Sequence, residues 1–119
     1  MPRPKLTPQI AYNLAEALYN ASGERDERLE SVIAQDASWA CYYAKYVLQS
    51  PWPEAAQVIA QDAYWAYEYA RAILKTPWPK GEPAIAQIPI YEYLYTENVL
   101  KTPEDLARFR EIQRCHAQN

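Results

Sequence analysis

Glycine is nearly missing from this chain, with two residues in 119 against ten prolines. That argues against long flexible linkers and leaves no glycine-rich loop to cradle a phosphate. Histidine occurs once, as His116, and cysteine twice, as Cys41 and Cys115. So few soft ligands give no cluster for a metal, so neither a metal nor another cofactor is expected. His116 beside Cys115 superficially suggests a thiol–imidazole pair. Adjacent residues on a helix point about 100° apart, and a fraying chain end holds no catalytic geometry. No apolar stretch approaches the length of a membrane span, and Met1 to Asn20 lacks the apolar run of a signal peptide. The expectation is a cytoplasmic protein without membrane contact, its cysteines free thiols. An excess of positive charge is also lacking. Twelve Lys and Arg stand against fifteen Asp and Glu, for a net charge of −3 with the signs interspersed. Nucleic acid as the main partner is disfavoured, because phosphate neutralisation needs a basic face.

What the chain does have is aromatic residues and a period. There are eleven Tyr and four Trp. The tetrapeptide Ile33-Ala34-Gln35-Asp36 returns as Ile59-Ala60-Gln61-Asp62, and again, altered, as Ile85-Ala86-Gln87-Ile88, each time 26 residues on. A fixed period in this range signals stacked repeats rather than one irregular core. The fold expected is all-α: a short right-handed α-solenoid of about three two-helix repeats with helical caps. It forms one domain, with repeats at 27–52, 53–78 and 79–102, a degenerate copy at 7–26 and a cap helix at 103–117.

The middle copy shows the physics most clearly. Pro53 suits a first helical turn, where its missing N–H costs little, and Glu54 answers the positive end of the helix dipole. Ala55, Val58 and Ile59 make one apolar stripe. Asp62 then N-caps a longer helix, whose Ala63, Ala66, Tyr67, Ala70, Ile73 and Leu74 share a face. Thr76-Pro77 stops it near Lys75, since the residue before proline is pushed out of the α region. The first copy repeats these features from Leu29 through Asp36 to Leu48, and the third gives Gly81, Ala84 and Ile85, then Tyr93, Val99 and Leu100, as its apolar face. Upstream, Ala11, Leu14, Ala15 and Leu18 fall 26 residues before Ala37, Ala40, Cys41 and Ala44, in a helix opened by Thr7-Pro8 and closed by Ser22-Gly23. Thr102 and Asp105 form a capping-box-like pair at the start of the last helix. Its narrow stripe of Leu106, Phe109 and Ile112, flanked by arginines, is that of a terminal cap.

The string Trp52-Pro53-Glu54, Ile59-Ala60-Gln61-Asp62, Trp65-Ala66-Tyr67-Glu68-Tyr69-Ala70-Arg71, Ile73-Leu74-Lys75 resembles a repeat found in proteins of bacteriophages, other viruses and some bacteria. In layout it is similar to the leucine-rich variant repeat. The likeness covers roughly 27–101. It implies an α-solenoid and a phage or mobile-element origin, and with that origin an inhibitor of a host protein, while bringing no catalytic residues. The third copy departs from the pattern at Ile88, Pro89, Glu92 and Thr96.

No constellation carries enzyme chemistry. Asp36 and Asp62 are explained as caps, so the expectation is a protein that is not an enzyme. Lys45 aligns with Arg71, and Lys75 with Lys101, but Glu97 breaks the basic stripe in the third copy. The aromatic ladders remain: Trp39, Trp65 and Tyr91, and beside them Tyr43, Tyr69 and Tyr95. They lie at the edge of the apolar face, with two readings. Either each ring is mortar between repeats, or the band is partly exposed and contacts a partner, as Tyr and Trp do at binding hot spots. The third copy adds Ile90 and Glu97, apolar and acidic contacts for a basic partner or a second copy of the chain. The expected contact set is therefore Trp39, Tyr43, Trp65, Tyr69, Ile90, Tyr91, Tyr95 and Glu97, and the expected function is protein–protein binding. The alternative is single-stranded nucleic acid stacked on the same rings.

Overall fold

The computed structural model describes residues 5–117. Every element among them is helical: α1 Pro8–Ser22, α2 Glu27–Ile33, α3 Ala37–Tyr42, α4 Ala56–Ile59, α5 Ala63–Glu68, α6 Glu82–Ile85, α7 Pro89–Asn98 and α8 Pro103–Ala117. Three short–long pairs follow one another. They are α2 with α3, α4 with α5, and α6 with α7, with α1 before and α8 after. Each long helix packs on the short helix of the next unit, α3 on α4 and α5 on α6, and on the next long helix, α3 on α5 and α5 on α7. The molecule measures 53 × 30 × 19 Å. His116, the candidate partner of Cys115, lies outside the residues whose side chains are described.

The helix starts follow the capping chemistry of the sequence. The Asp36 and Asp62 carboxylates accept from the Trp39 and Trp65 backbone N–H groups, each at 3.1 Å. Thr7 accepts from Ile10 N–H at 3.2 Å, and Thr102 from Asp105 N–H at 3.1 Å. Ile88 offers α7 no side-chain acceptor, and Pro89 takes the first turn. The short helices α4 and α6 are led in by single 3-10 turns, Pro53–Ala55 and Pro79–Gly81. Gly81 has no room for a side chain, because a Cβ there would sit 2.7 Å from the Trp78 ring.

The helix ends differ from expectation. α3 and α5 do not run on as α-helices to their stops. Each widens into a π-helical turn, Tyr43–Leu48 and Tyr69–Leu74, closed by Gln49 and Lys75 in the left-handed region at φ 54° and 58°. A glycine would adopt that conformation without cost. This glycine-poor chain uses long polar residues instead, and the Gln49 and Lys75 N–H groups reach the carbonyls of Ala44 and Ala70.

The core repeats with the sequence. Ile33, Ile59 and Ile85 are each fully buried, as are Ala40 and Ala66. Leu48 and Leu74 are only half-buried, whereas Leu100 is buried under the last helix. The register expected for α1 fails at one position. Ala40 is buried, but Leu14, placed opposite it by the 26-residue offset, is 51% exposed. Among the described residues no short helix precedes α1 to cover that side, and α1 buries Ala11, Tyr12 and Ala15 instead.

Candidate functional site

The aromatic residues divide into two ladders, and the division falls inside the expected contact set. The inner ladder is mortar. Tyr43 packs on Trp52 with ring centroids 4.9 Å apart, Tyr69 on Trp78 at 4.7 Å, and Tyr95 on Phe109 at 5.1 Å. Tyr43, Tyr69 and Tyr95 are all buried, so these three leave the contact set. The cause is geometric. Trp65 and Tyr69 are four residues apart, and four residues turn an α-helix about 40° past a full circle. That rotation carries position 69 over the edge of the exposed face and into the interface, where the π turn begins.

The buried hydroxyls are tied into the backbone of the adjoining unit. The Trp52 N–H donates to Tyr69 Oη at 2.8 Å, and the Trp78 N–H to Tyr95 Oη at 2.9 Å. Tyr43 donates to Glu30 at 2.6 Å and Tyr95 to Glu82. Arg25 pairs with Glu30 at 2.7 Å, and Arg108 of the last helix with the fully buried Glu82 at 2.6 Å. The middle copy has Ala56 where the others have a carboxylate. Burial, and then the hydrogen bond to a carboxylate, push the Tyr43 and Tyr95 hydroxyls well above the usual tyrosine range. Burial likewise holds the Cys41 thiol protonated, at about 12, which makes it an inert core residue.

The outer ladder runs over the long helices from the first unit to the third. Trp39 meets Tyr12 at 5.2 Å and Tyr42 at 5.6 Å. Tyr42 meets Trp65 of the next unit at 5.1 Å. Tyr64 then bridges Trp65, at 4.7 Å, and Tyr91 of the third unit, at 5.4 Å. Trp39, Trp65 and Tyr91 are half-buried by these contacts, each leaving part of a ring at the surface. Around them stand exposed apolar side chains: Tyr46, Tyr64, Ile88, Ile90 and Tyr93, with Ile90 at 56% and Tyr93 at 61%. Packing against the last helix does not account for Ile88 and Ile90, since both are exposed. Glu97 is exposed and makes no ion pair or hydrogen bond among the described residues.

Of the remaining expected contact residues, Ile90 and Glu97 are exposed and Trp39, Trp65 and Tyr91 half-buried, so the rings serve in part as packing; Tyr46 and Tyr64, outside the expected set, are exposed as well, and Tyr93, expected in the core of the third copy, is 61% exposed. One signal was present for Tyr64. It shares a repeat position with Ile90, a member of the expected contact set.

The basic residues gather elsewhere, at the C-terminal ends of the long helices. Lys45 and Lys75 line a groove of about 330 Å³, and Arg71, Lys75 and Lys101 line a second of about 260 Å³ one repeat further on. Two of these cations are engaged by Glu68, which lies 2.9 Å from Arg71 and 3.9 Å from Lys45. No helix among the described residues is long and apolar enough to cross a membrane. No family model, curated protein or solved structure matches the chain.

Proposed function

We propose that the protein is a protein-binding module, a short right-handed α-solenoid that presents the outer aromatic ridge to a partner protein. The observation that carries this reading is the internal contrast between the ladders. Tyr43, Tyr69 and Tyr95 are buried between the units, whereas Tyr64, which also bridges Trp65 and Tyr91, keeps 39% of its surface exposed, and Ile90 and Tyr93 keep more than half of theirs. An exposed apolar patch of aromatic and aliphatic side chains beside charges has the composition of an interface. Ile88, Ile90 and Tyr93 concentrate that character in the third unit, with Glu97 beside them to meet a basic surface. The likeness to repeats of phage proteins adds the proposal that the partner is a host protein whose action the contact blocks.

Ile90→Glu tests the reading. The side chain is exposed, so folding is expected to survive, with an unchanged far-UV circular dichroism spectrum. Affinity for a partner captured by the wild-type chain is expected to fall by about 2 kcal/mol, the scale of a hot-spot residue. Unchanged affinity in the folded variant would remove the third unit from the interface.

The two basic grooves favour a second reading, single-stranded nucleic acid following Lys45, Lys75 and Lys101 across successive units. A steep fall of oligonucleotide affinity with salt would support it.

A further inference from the structure

α1 carries two apolar faces, and the fold uses one of them. Ala11, Tyr12 and Ala15 are buried. Ile10, Leu14, Ala17 and Ala21 lie on a separate arc of the same helix, within about 60° of one another. All four are exposed, Ile10 by 44% and Leu14 by 51%. Their steps of four, three and four residues are those of the a and d positions in a helix–helix seam.

In the other units this line is covered. Ala40, Tyr43 and Val47 stand 26 residues after Leu14, Ala17 and Ala21, and all three are buried. In the third unit Tyr95 and Val99 hold the last two places, also buried. There the line meets the short helix of its own unit, since Tyr43 donates to Glu30 of α2 and Tyr95 to Glu82 of α6. α1 keeps apolar residues on the line, yet no short helix precedes it among the described residues. The vacant place is one for a helix.

The residues around the seam decide which helix fits. Glu16 is the only charged residue of α1, and the Tyr12 hydroxyl donates to it at 3.3 Å. Asn13 and Asn20 flank the seam, exposed and uncharged. Flanking charges choose the partner in helix pairs, so an uncharged flank fits one equally uncharged. The other end of the array does not qualify. α8 exposes Glu104, Arg110, Glu111 and Arg114, and laying an apolar seam on them would strip charges of water without return. A second α1 does qualify. Set antiparallel about a two-fold axis, Ile10 meets Ala21 of the other copy and Leu14 meets Ala17, so each large side chain faces a small one. A parallel pair would set large on large and small on small. The antiparallel pair also brings opposite dipole ends together.

We propose that two copies of the chain pair through α1, antiparallel, along Ile10, Leu14, Ala17 and Ala21. The fifteen residues of α1 span about 22 Å. A contact that long and one helix wide falls below the roughly 1,200 Å² of a standard interface, so the pairing is weak and reversible. It gives each particle two outer ridges and thereby avidity for a partner with two epitopes. The pairing itself stands whether or not the ridge binds a partner.

The test is sedimentation velocity of the full chain at loading concentrations from about 10 µM to about 1 mM. Wild type is expected to shift from monomer towards dimer across the series. Leu14→Glu and Ala17→Lys, both at exposed positions, are each expected to keep the wild-type circular dichroism spectrum and to raise the dimer dissociation constant at least about tenfold. An equimolar mixture of the two is expected to recover dimer, because the antiparallel register sets the new carboxylate against the new ammonium group. Ile90→Glu, on the ridge of the third unit, is expected to pair as wild type does. A wild-type chain monomeric throughout is the outcome if another protein or another part of this chain covers the seam, and it would overturn the proposal. So would a folded Leu14→Glu that pairs as tightly as wild type, a mixture no better than its components, or a dimer lost in Ile90→Glu.

Discussion

Replacing Arg108 by Met should destabilise the protein far more than removing its ion pair altogether. Glu82 is fully buried. Its carboxylate accepts from Arg108 Nε at 2.9 Å, from Arg108 Nη2 at 2.6 Å and from Tyr95 Oη. Arg108→Met takes two of these three donors and leaves the charge in place. A hydrogen bond to a charged group contributes about 1.5–3 kcal/mol, and breaking a buried pair from one side costs about 3–5 kcal/mol. The Arg108 side chain is 35% exposed, so water partly replaces it, and about 2–4 kcal/mol is the expected loss. In a domain of this size that lowers the thermal midpoint by about 10 °C. Glu82→Met together with Arg108→Met removes the stranded charge as well. The middle unit shows the fold accepts an uncharged residue there, since Ala56 occupies the equivalent position while Tyr69 stays buried. The double variant is therefore expected to recover at least about 1 kcal/mol relative to the single one. Urea unfolding followed by circular dichroism gives both numbers. A loss below about 1 kcal/mol in Arg108→Met, or a double variant as unstable as the single, would refute the reasoning.

Base should unfold the protein early. The Tyr43 and Tyr95 hydroxyls are raised by burial and by their carboxylate partners, and burial raises Cys41 to about 12. Groups whose folded pKa is raised stabilise fully below the unfolded value, about 10 for tyrosine, and lose that contribution as pH climbs beyond it. Urea midpoints should therefore be flat up to about pH 8, begin to fall near pH 9 as the Cys41 thiol of the unfolded chain ionises, and fall more steeply above pH 10 as its tyrosines follow; a midpoint rising over that interval would contradict the burial. Gln49→Gly relieves a left-handed backbone at φ 54°, and a gain of up to about 1 kcal/mol is expected in the same assay. A loss would show that the Gln49 side chain holds the π turn closed.

The fold was legible because three kinds of signal agreed at the same period: Ile33, Ile59 and Ile85 as core, Asp36 and Asp62 as caps, and proline after the long helices. The π turns were not legible. Nothing in Tyr43–Leu48 or Tyr69–Leu74 departs from ordinary helical patterning, and the extra width shows only in the longer reach of the closing N–H. The exposure of Leu14 was not legible, because the constant offset assumes a short helix in every unit and none precedes α1 among the described residues. The site was half legible. Trp65 and Tyr69 fall on neighbouring lines of one helix, and a period cannot say which line the next unit covers. That depends on how the Trp52 and Trp78 side chains enter the interface, and the buried carboxylates Glu30 and Glu82 gave no hint of themselves as members of a tyrosine–arginine network.

The split between mortar and contact surface is tested most directly by measuring stability and partner affinity together in Tyr64→Ala and Tyr69→Ala. Tyr69 is 2% exposed and Tyr64 39%. Tyr69→Ala is expected to lose about 3–5 kcal/mol of stability, as a large core side chain does. Tyr64→Ala gives up its ring contacts with Trp65 and Tyr91 and is expected to lose about 1–2 kcal/mol of stability and about 2 kcal/mol of partner affinity. A stable Tyr69→Ala, or a folded Tyr64→Ala that binds the partner as tightly as wild type, would contradict the account.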